Sequence, residues 1–189
     1  LSLLVAFSTA QAEETSLPPV NVTAKGYAAA DTETPNAVLT LNAEEIMASG
    51  AQNVGDAVRG HAGLAVNSDG AWGQNPVIRG LQRESIVLLS NGIRVNAAQP
   101  YGALTSMFES SLLERIEVVK GPASVVHGTG ALGGVINLIG PQARFGGGLS
   151  SDFGLGFDSA SRGGYGTAKA NFGSDTQALM LAVSYRDAN

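Results

Sequence analysis

The 189-residue chain is long enough for one hydrophobic core and little more, and its formal net charge is −5. This acidic balance argues against nucleic-acid binding, which calls for a basic patch. The chain has no cysteine, so it forms no disulfide and offers no thiolate nucleophile or metal ligand. Glycine is abundant, at 25 residues, which favours tight turns and close backbone packing.

Residues 1–12 form an apolar segment that ends in Ala10-Gln-Ala12. This pattern is typical of the hydrophobic region and small-residue cleavage site of a secretory signal. A buried strand or helix at the start of a domain is the alternative, but Glu13 and Pro18 follow at once and favour the signal. Because no positively charged region precedes the segment, we expect the chain to begin inside its gene's true start. No run of about 20 apolar residues occurs, so the sequence predicts no transmembrane helix.

Residues 13–38 are predicted to be an exposed linker, because acids, threonine, proline and alanine dominate and cannot build a core. One patch inside it favours an extended chain, since its β-branched side chains suit a strand and the prolines before it block a helix. The patch consists of Pro19, Val20, Asn21, Val22, Thr23 and Ala24.

The first predicted helix has recognisable signals at both ends. Asn42 can cap it, with Glu45 reaching back as in a capping box, and Leu41 and Ile46 can form a hydrophobic staple. Gly50 then ends the helix.

Short helices and strands are predicted to alternate through residues 39–142. A second helix covers residues 53–59, residues 112–114 form a helical turn, and Asn91 and Gly92 form a tight turn between strands. The arrangement predicts an α+β domain of roughly a hundred residues, with a small mixed sheet and short helices. The strand-like runs are residues 64–66, 77–79, 86–89, 93–95, 116–119 and 135–139.

After Pro141, apolar and polar residues alternate with a period of two in three runs. Runs of about ten such residues are typical of membrane β-barrels, although a soluble antiparallel sheet with one wet face has the same local pattern. Three strands cannot close, since a barrel needs at least ~8. We therefore expect residues 143–189 to be the start of a longer antiparallel transmembrane β-barrel. Alternate positions form two sets, here called parities, that point to opposite faces. The parity expected to face lipid contains Leu149, Phe153, Leu155, Phe157, Ala168, Phe172, Leu179, Leu181, Val183 and Tyr185. The parity expected to face the lumen contains Asp152, Lys169, Asn171 and Arg186.

Five motifs stand in a fixed order along the compact region. They are Val54-Gly-Asp-Ala-Val-Arg59 leading to Gly63-Leu-Ala-Val66, Val77-Ile-Arg-Gly80, Leu88-Leu-Ser-Asn-Gly-Ile-Arg-Val95, Glu114-Arg-Ile-Glu-Val-Val-Lys-Gly-Pro-Ala-Ser124, and Gly128-Thr-Gly-Ala-Leu-Gly-Gly-Val-Ile-Asn137. Each motif is weak alone, but the ordered set resembles the plug domain of TonB-dependent outer-membrane receptors. The resemblance covers residues 39–138. Residues 20–24 are similar to the TonB box of that family, and residues 147–187 are similar to its early barrel strands.

The resemblance implies a transporter, not an enzyme, whose plug gates a barrel in the outer membrane and whose N-terminus lies in the periplasm. Its parts would be a signal remnant at residues 1–12, a TonB box and linker at 13–38, the plug at 39–142 and barrel strands at 143–189. Three partners are implied: TonB, which would add residues 19–24 to its own sheet by β-augmentation, outer-membrane lipid, and a small metal chelate such as a siderophore. No cofactor is expected. A soluble periplasmic binding or adhesion module built on the same sandwich is the alternative.

Two long loops, residues 67–76 and 96–110, are the candidate ligand surface, because such loops form the outward-facing plug apex in the family. Aromatic and amide side chains suit an organic metal chelate, and ordinary solvated loops are the alternative. Residues 98–102 are also similar to copper receptors of the family. Copper prefers Cys, Met or His ligands, of which this loop offers only Met107, so a copper receptor is a further alternative. The candidate ligand residues are Asp69, Trp72, Gln74, Asn75, Gln99, Tyr101, Met107 and Phe108.

Arg79 and Arg115 are the candidate plug–barrel contacts, because arginines of the corresponding motifs pair with barrel carboxylates in the family. An arginine at such an interface must be paired, since an unpaired buried charge costs several kcal/mol. His127 stands where the family usually has an aromatic residue before Gly128, so a packing role is expected rather than metal binding. His61 and His127 belong to different elements, and no catalytic constellation or metal site is predicted.

The run from Gly128 to Gly133 fits the dinucleotide-binding pattern GxGxxG. That pattern must open a helix, so that the helix N-terminus meets a pyrophosphate, whereas here a predicted strand follows. No acidic ribose ligand follows about 20 residues on, so nucleotide binding is not predicted. The glycines are expected instead to let the backbone pass close to the barrel wall.

Overall fold

The computed structural model describes residues 21–22, 24, 29–30, 37–70, 73–96, 104–158 and 163–187. The predicted signal at residues 1–12 and the predicted TonB-box residues Pro19, Val20 and Thr23 lie outside the described residues. The described chain forms two bodies. One is a sandwich of sheets and short helices over residues 37–139, and the other is a three-stranded sheet over residues 148–187, which we call the wall sheet.

Most elements in the described part of the chain are short, and the longest are the strands of the wall sheet. Within this part, no helix has both the length and the apolar character needed to cross a membrane. The helices are α1 (Ala43–Ala48), α2 (Val54–Val58) and α3 (Ser124–His127), with 3₁₀ turns at Arg83–Ser85, Leu104–Met107 and Ser110–Leu112. The strands are β1 (Asn21–Val22), β2 (Ala29–Ala30), β3 (Ala37–Asn42), β4 (Leu64–Asp69), β5 (Gly73–Ile78), β6 (Leu81–Gln82), β7 (Ile86–Ser90), β8 (Ile93–Arg94), β9 (Arg115–Lys120), β10 (Gly134–Ile139), β11 (Gly148–Asp158), β12 (Gly163–Gly173) and β13 (Ala178–Asp187).

The central sheet has the strand order β3-β9-β10-β7-β8 and carries apolar clusters on both faces. Strand β10 runs parallel to β7, and the other neighbours are antiparallel, which confirms the predicted mixed sheet. Ile116 and Val118 of β9 belong to the larger cluster, which includes residues of α1 and α2, whereas Val119 belongs to the smaller one. Because side chains alternate along a strand, β9 supplies both faces of the sheet.

The local signals at the start of α1 act as predicted. The Asn42 side chain accepts a hydrogen bond from the Glu45 N–H at 2.9 Å, and the Glu45 carboxylate accepts one from the Asn42 N–H at 2.8 Å. Leu41 and Ile46 are both buried, and Gly50 follows the helix at a φ of 65°. The reciprocal cap satisfies two backbone donors that would otherwise lack partners, and it fixes where the helix begins.

The predicted turn between β7 and β8 is confirmed. Asn91 and Gly92 both have positive φ, at 49° and 81°, which suits a two-residue hairpin turn. The turn also has tertiary contacts, because Asn91 Oδ1 accepts from the Gly140 N–H and the Gly92 N–H donates to Asn137 Oδ1, both at 3.0 Å. The hairpin is therefore tied to β10.

The prediction of a loop at residues 67–76 is wrong for most of its length, because β4 and β5 form an antiparallel hairpin there. Polar side chains bond across it: Asn75 Nδ2 donates to Asp69 and Ser68 Oγ donates to Gln74, both at 2.7 Å. A polar composition indicated a loop, but these bonds satisfy the polar groups inside a hairpin. Strand β3, which begins inside the predicted linker, and helix α3 were not predicted.

The wall sheet confirms the predicted antiparallel strands, and its two faces differ in polarity. The register places Phe172 between Leu149 and Leu179 on one face, and it places Lys169 opposite Asp152 on the other. The large apolar side chains of the first face are each more than half exposed. The second face contacts the sandwich, so the two predicted parities lie on opposite sides of the sheet.

The glycine-rich run at residues 128–134 packs closely against other parts of the sandwich, and its contact with the barrel wall stays a prediction. A Cβ at Gly133 would meet Leu81 Cβ at 2.9 Å. Gly134 has a φ of 154°, and a Cβ there would overlap the carbonyl oxygen of Val119. The glycines therefore let β10 enter the sheet between β9 and β7.

We expect Gly134→Ala to destabilise the sandwich by about 2 kcal/mol or more, since the added methyl group overlaps a neighbouring carbonyl in a backbone conformation that favours glycine. Gly140→Ala is the matched control, because the nearest atom to its Cβ is Asn91 Nδ2 at 3.7 Å. Urea unfolding midpoints of the intact protein, followed by protease resistance of the sandwich, measure both variants. Equal midpoints would contradict this packing.

Candidate functional site

The polar face of the wall sheet holds the sandwich through charged side chains. Arg186 of β13 donates to the Glu109 carboxylate at 3.0 Å and lies over the Tyr165 ring, 4.9 Å from its centroid. Lys169 of β12 donates to the Leu113 carbonyl at 3.4 Å. Both cations come from the parity that the sequence predicts to face the lumen.

A second set of polar contacts fixes the chain just before β11. Asn171 Oδ1 accepts a hydrogen bond from the Arg144 N–H at 2.9 Å, and the Arg144 guanidinium donates to Glu114 at 3.2 Å. Asn171 is buried, whereas the Arg144 side chain is 72% exposed. The segment that connects the two bodies is thus held at Arg144. Its contact with Asn171 of the wall sheet is partly buried, and its contact with Glu114 of the sandwich is exposed to water.

A crevice of about 770 Å³ lies between α1 and the wall sheet. The end of the Met47 side chain lies against Gly154, where an added Cβ would overlap it and would require Met47 to move. Charges of both signs make the crevice a polar gap rather than a sealed apolar contact. Its charged lining residues are Glu44, Glu114, Arg115, Arg144, Asp152 and Lys169.

Two of the predicted ligand residues, Gln74 and Asn75, are buried in β5 instead of lying on a loop. Gln74 Oε1 accepts hydrogen bonds from Arg59 at 3.0 Å and from Ser68 at 2.7 Å, and Asn75 donates to Asp69 at 2.7 Å. These amides stabilise the β4–β5 hairpin. A ligand could use them only after these bonds were broken.

The other described ligand candidates differ in their surroundings. The Asp69 carboxylate accepts a hydrogen bond from Arg83 at 2.7 Å and remains partly exposed beside the β4–β5 turn. Met107 is 80% exposed, whereas Phe108 packs against the larger core. Met107 is therefore available to a ligand, while Phe108 serves packing. The remaining candidates, Trp72, Gln99 and Tyr101, lie outside the described residues.

Arg115, predicted to contact the barrel, forms an ion pair inside the sandwich. Its Nη2 and Nε lie 2.8 and 2.9 Å from Glu117 Oε1, and the residue also lines the crevice beside the wall sheet. Arg79 lies in the turn after β5 at a φ of 50°, where its N–H donates to the Gly63 carbonyl at 3.0 Å. Pairing of either arginine with a barrel carboxylate stays a prediction.

Ala24, the last residue of the predicted TonB box, is buried against the smaller cluster of the central sheet. Its N–H donates to Glu117 Oε2 at 2.9 Å, and its carbonyl oxygen lies 2.6 Å from His127 Nε2. Nearby, β1 pairs antiparallel with β2. The structural role predicted for His127 thus takes the form of a contact to the backbone.

Sequence reasoning missed several of these residues. Glu117 carries a recognisable signal, because a carboxylate inside the apolar run of residues 116–119 is costly to bury without partners. The pair of Glu109 and Arg186 has no local signal, since 77 positions separate the two residues along the chain. Only the folded arrangement of the two bodies brings that pair together.

Residues 30–135 match the family model of the TonB-dependent Receptor Plug Domain. The match covers more than half of the chain and includes α1, α2 and α3, the whole glycine-rich run, and the central sheet except for most of β10. The chain belongs to this family. The sandwich is its plug domain, as the ordered motifs indicate, and it is called the plug from here on.

Curated relatives agree with this assignment. The vitamin B12 transporter BtuB of Vibrio vulnificus (strain CMCP6) is 28% identical over 172 residues, which make up 89% of this chain and 28% of that protein. A hemin receptor of Yersinia pestis is 36% identical over 117 residues, which make up 61% of this chain and 17% of that protein. The chain thus spans less than a third of the length of these relatives.

Solved structures share the fold. The pyoverdine outer membrane receptor FpvA from Pseudomonas aeruginosa PAO1 matches with a TM-score of 0.76 at 22% identity, over 93% of this chain and 26% of that chain. The copper transporter OprC matches with a TM-score of 0.66 at 25% identity, over 80% of this chain and 24% of that chain. Coverage of 93% requires that the fold shared with FpvA include both the plug and strands of the wall sheet.

We expect Glu109→Ala and Arg186→Ala to be coupled in a double-mutant cycle by about 1 kcal/mol, because the two charged groups share a partly buried hydrogen bond. The exposed pair of Glu114 and Arg144 is the matched control, with an expected coupling below about 0.5 kcal/mol. Urea unfolding midpoints of the plug in the intact protein give both coupling energies. Equal coupling in the two pairs would contradict the role given to Arg186.

Proposed function

We propose that this chain is the plug and first barrel strands of an outer-membrane receptor that imports a scarce metal chelate, of siderophore type, with energy supplied through TonB. The observation that carries the proposal is a plug standing against the polar face of a sheet whose other face is apolar and exposed. The names of the related proteins refer to vitamin B12, hemin, pyoverdine and copper. These are metals or organic molecules that can hold a metal, which supports a metal chelate as the ligand class.

The exposed apolar face argues against a soluble periplasmic binding or adhesion module. Soluble monomers rarely expose continuous apolar patches larger than a few hundred Å². A barrel wall requires such a face, because its outward side chains meet lipid. The large apolar side chains on this face of the wall sheet, each more than half exposed, are Leu149, Phe153, Leu155, Phe157, Phe172, Leu179, Leu181, Val183 and Tyr185.

The proposed transport cycle uses three parts of the chain. Ligand binds at the plug apex, where Met107 is exposed. The plug then shifts along the crevice, whose water-accessible ion pair of Glu114 and Arg144 is weak and exchanges readily with solvent. The TonB box and linker at residues 13–38 enter the periplasm, and TonB adds residues 19–24 to its own sheet. In this division the plug covers residues 39–142 and the barrel strands begin at residue 143.

A copper receptor is the second candidate, and the exposed side chain of Met107 is the observation in its favour. A thioether is a soft ligand that suits copper, whereas the plug of a siderophore receptor has no need of one. Uptake assays with copper ions, iron-loaded siderophores, hemin and vitamin B12 in parallel identify the ligand. The substrate identified in this way is the ligand to use when uptake by the Val22→Pro variant is measured below.

We expect a cysteine at Val183 to react with a lipid-soluble thiol reagent and a cysteine at Ser184 to be protected from it. The two neighbours lie on opposite faces of β13, with Ser184 opposite Thr167, which is buried. The chain has no native cysteine, so each substitution introduces a single thiol into it. The measurement is labelling of the intact receptor in isolated outer membranes. Equal labelling at both positions would contradict the proposal that these strands form a barrel wall.

We expect Val22→Pro to abolish uptake while surface binding of the ligand persists. Proline removes a backbone donor and fixes φ, so it blocks strand addition to TonB, whereas Val22→Ala keeps the backbone donor and serves as the control. Uptake and binding are measured in parallel on whole cells that carry the intact receptor. Normal uptake in the proline variant would show that residues 19–24 are not the TonB box. Loss of binding as well would assign the defect to folding or export.

A further inference from the structure

The end of the predicted TonB box is held by two side chains of the plug. Ala24 has no exposed surface; its N–H donates to Glu117 Oε2 at 2.9 Å, and its carbonyl oxygen accepts from His127 Nε2 at 2.6 Å. The second bond requires that Nε2 carry the proton. Ala24 lies 93 positions from Glu117 and 103 from His127 along the chain, so both bonds are tertiary contacts.

Ala24 supplies one of the hydrogen-bond donors to the buried carboxylate of Glu117. Its side chain has no exposed surface, and a carboxylate cut off from water must find hydrogen-bond donors in the protein. Arg115 contacts Oε1 at 2.8 Å, and Asn137 Nδ2 donates at 3.2 Å to Oε2, the oxygen that also accepts from Ala24. Release of Ala24 withdraws one of the donors that the Glu117 carboxylate has in the docked arrangement. The docked position of the segment is therefore favoured.

His127 is presented to Ala24 by a fixed turn. It is the last residue of α3, and Gly128 follows at a φ of 75°. The Arg94 guanidinium donates to the His127 carbonyl at 2.9 Å and to the Thr129 carbonyl at 2.8 Å, which holds both sides of the turn. These bonds hold the backbone at His127, so less ordering of the turn is needed when Ala24 docks.

Ala24 also completes an apolar cluster. Its methyl group belongs to the smaller cluster of the central sheet, together with Val87, Val119 and Val135. Undocking would return part of this surface to water, which the hydrophobic effect opposes. Backbone bonds and apolar burial therefore act together at one residue.

We propose that Glu117 and His127 form a binding site for the chain's own backbone at Ala24, and that this site, here called the clasp, controls how readily the TonB box is offered to TonB. The identification of the segment as a TonB box rests on the proposed function. The hydrogen bonds of the clasp do not depend on that function. While the Ala24 N–H and carbonyl are bound to the plug, the strand edge that carries them cannot pair with another sheet. Both clasp bonds must break first.

Arg115 connects the clasp to the plug–wall crevice. Its guanidinium contacts the Glu117 carboxylate, and the residue lines the crevice together with Asp152 and Lys169 of the wall sheet. A shift of the plug against the wall at Arg115 therefore reaches the carboxylate that binds Ala24 through a single side chain. This gives a direct physical route from movement in the barrel to release of the segment.

The test uses the intact receptor in isolated outer membranes, without TonB, and with a single cysteine introduced at Val22 as the reporter. A water-soluble maleimide labels this thiol, and the receptor without the introduced cysteine supplies the background. We expect His127→Phe, which keeps a ring but removes the donor, to raise the labelling rate about tenfold, the effect of ~1.4 kcal/mol on the docking equilibrium. His127→Gln retains an N–H donor and is expected to stay within about threefold of the parent rate, a shift of ~0.65 kcal/mol.

His61→Phe is the matched control, because it makes the same substitution in the chain's other histidine, in the segment between α2 and β4. It should leave the rate unchanged. If His127→Phe fails to reach the membrane, Ala24→Pro replaces it, since this change removes the N–H donated to Glu117 and leaves the plug residues intact. A labelling rate equal to that of the parent, in His127→Phe or in Ala24→Pro where it replaces the first variant, would overturn the clasp. The same rise in labelling rate in His61→Phe would overturn it as well.

Labelling and uptake separate the two proposals. Faster labelling in His127→Phe together with normal uptake in Val22→Pro would keep the clasp as a docking site and reject the TonB-box assignment. Unchanged labelling in His127→Phe together with lost uptake in Val22→Pro would reject the clasp and keep the coupling function.

Discussion

A carboxylate buried without water must be surrounded by donors, and in this chain that requirement joins several distant segments. Glu117 lies in β9, which has a neighbouring strand on each side, so its position is fixed by the sheet itself. Arg115, Asn137 and Ala24 each contact its oxygens. Asn137 in turn accepts a hydrogen bond from Gly92, which ties the β7–β8 turn to the same group. Replacing one partner would leave a buried charge undersatisfied, so these segments act as a unit.

The wall sheet follows a different constraint, because its two faces meet different surroundings. Alternation along each strand places large apolar side chains on one face and polar side chains on the other. The polar face contacts the plug through Arg186 and Lys169, it contacts the connecting segment through Asn171, and its Gly154 lies against Met47 of α1. The same alternation that suits lipid on one side therefore supplies the plug contacts on the other.

Sequence reasoning succeeded where the deciding interactions are local. The capping box of Asn42 and Glu45 spans three positions, the Asn91 turn spans two residues, and the alternation of the wall strands is visible run by run. Membership of the plug family could also be predicted, because the ordered motifs carry it. The β4–β5 hairpin was missed because its polar residues are satisfied by one another, which composition does not show. The clasp was missed because its partners lie about a hundred positions apart, a separation that no local pattern reports.

The plug has two kinds of attachment, and they differ in access to water. The clasp surrounds a carboxylate that has no exposed surface while Ala24 is docked, so its hydrogen bonds lie in a site closed to water. The crevice contacts include the Arg144 side chain, 72% exposed, whose ion pair can exchange with water at little cost. The exposed crevice contact permits the plug to shift against the wall sheet, whereas the clasp holds the segment that includes Ala24 on the plug. Because Arg115 belongs to both, movement at the weak attachment perturbs the strong one, and the docked segment is where that perturbation can release a bond.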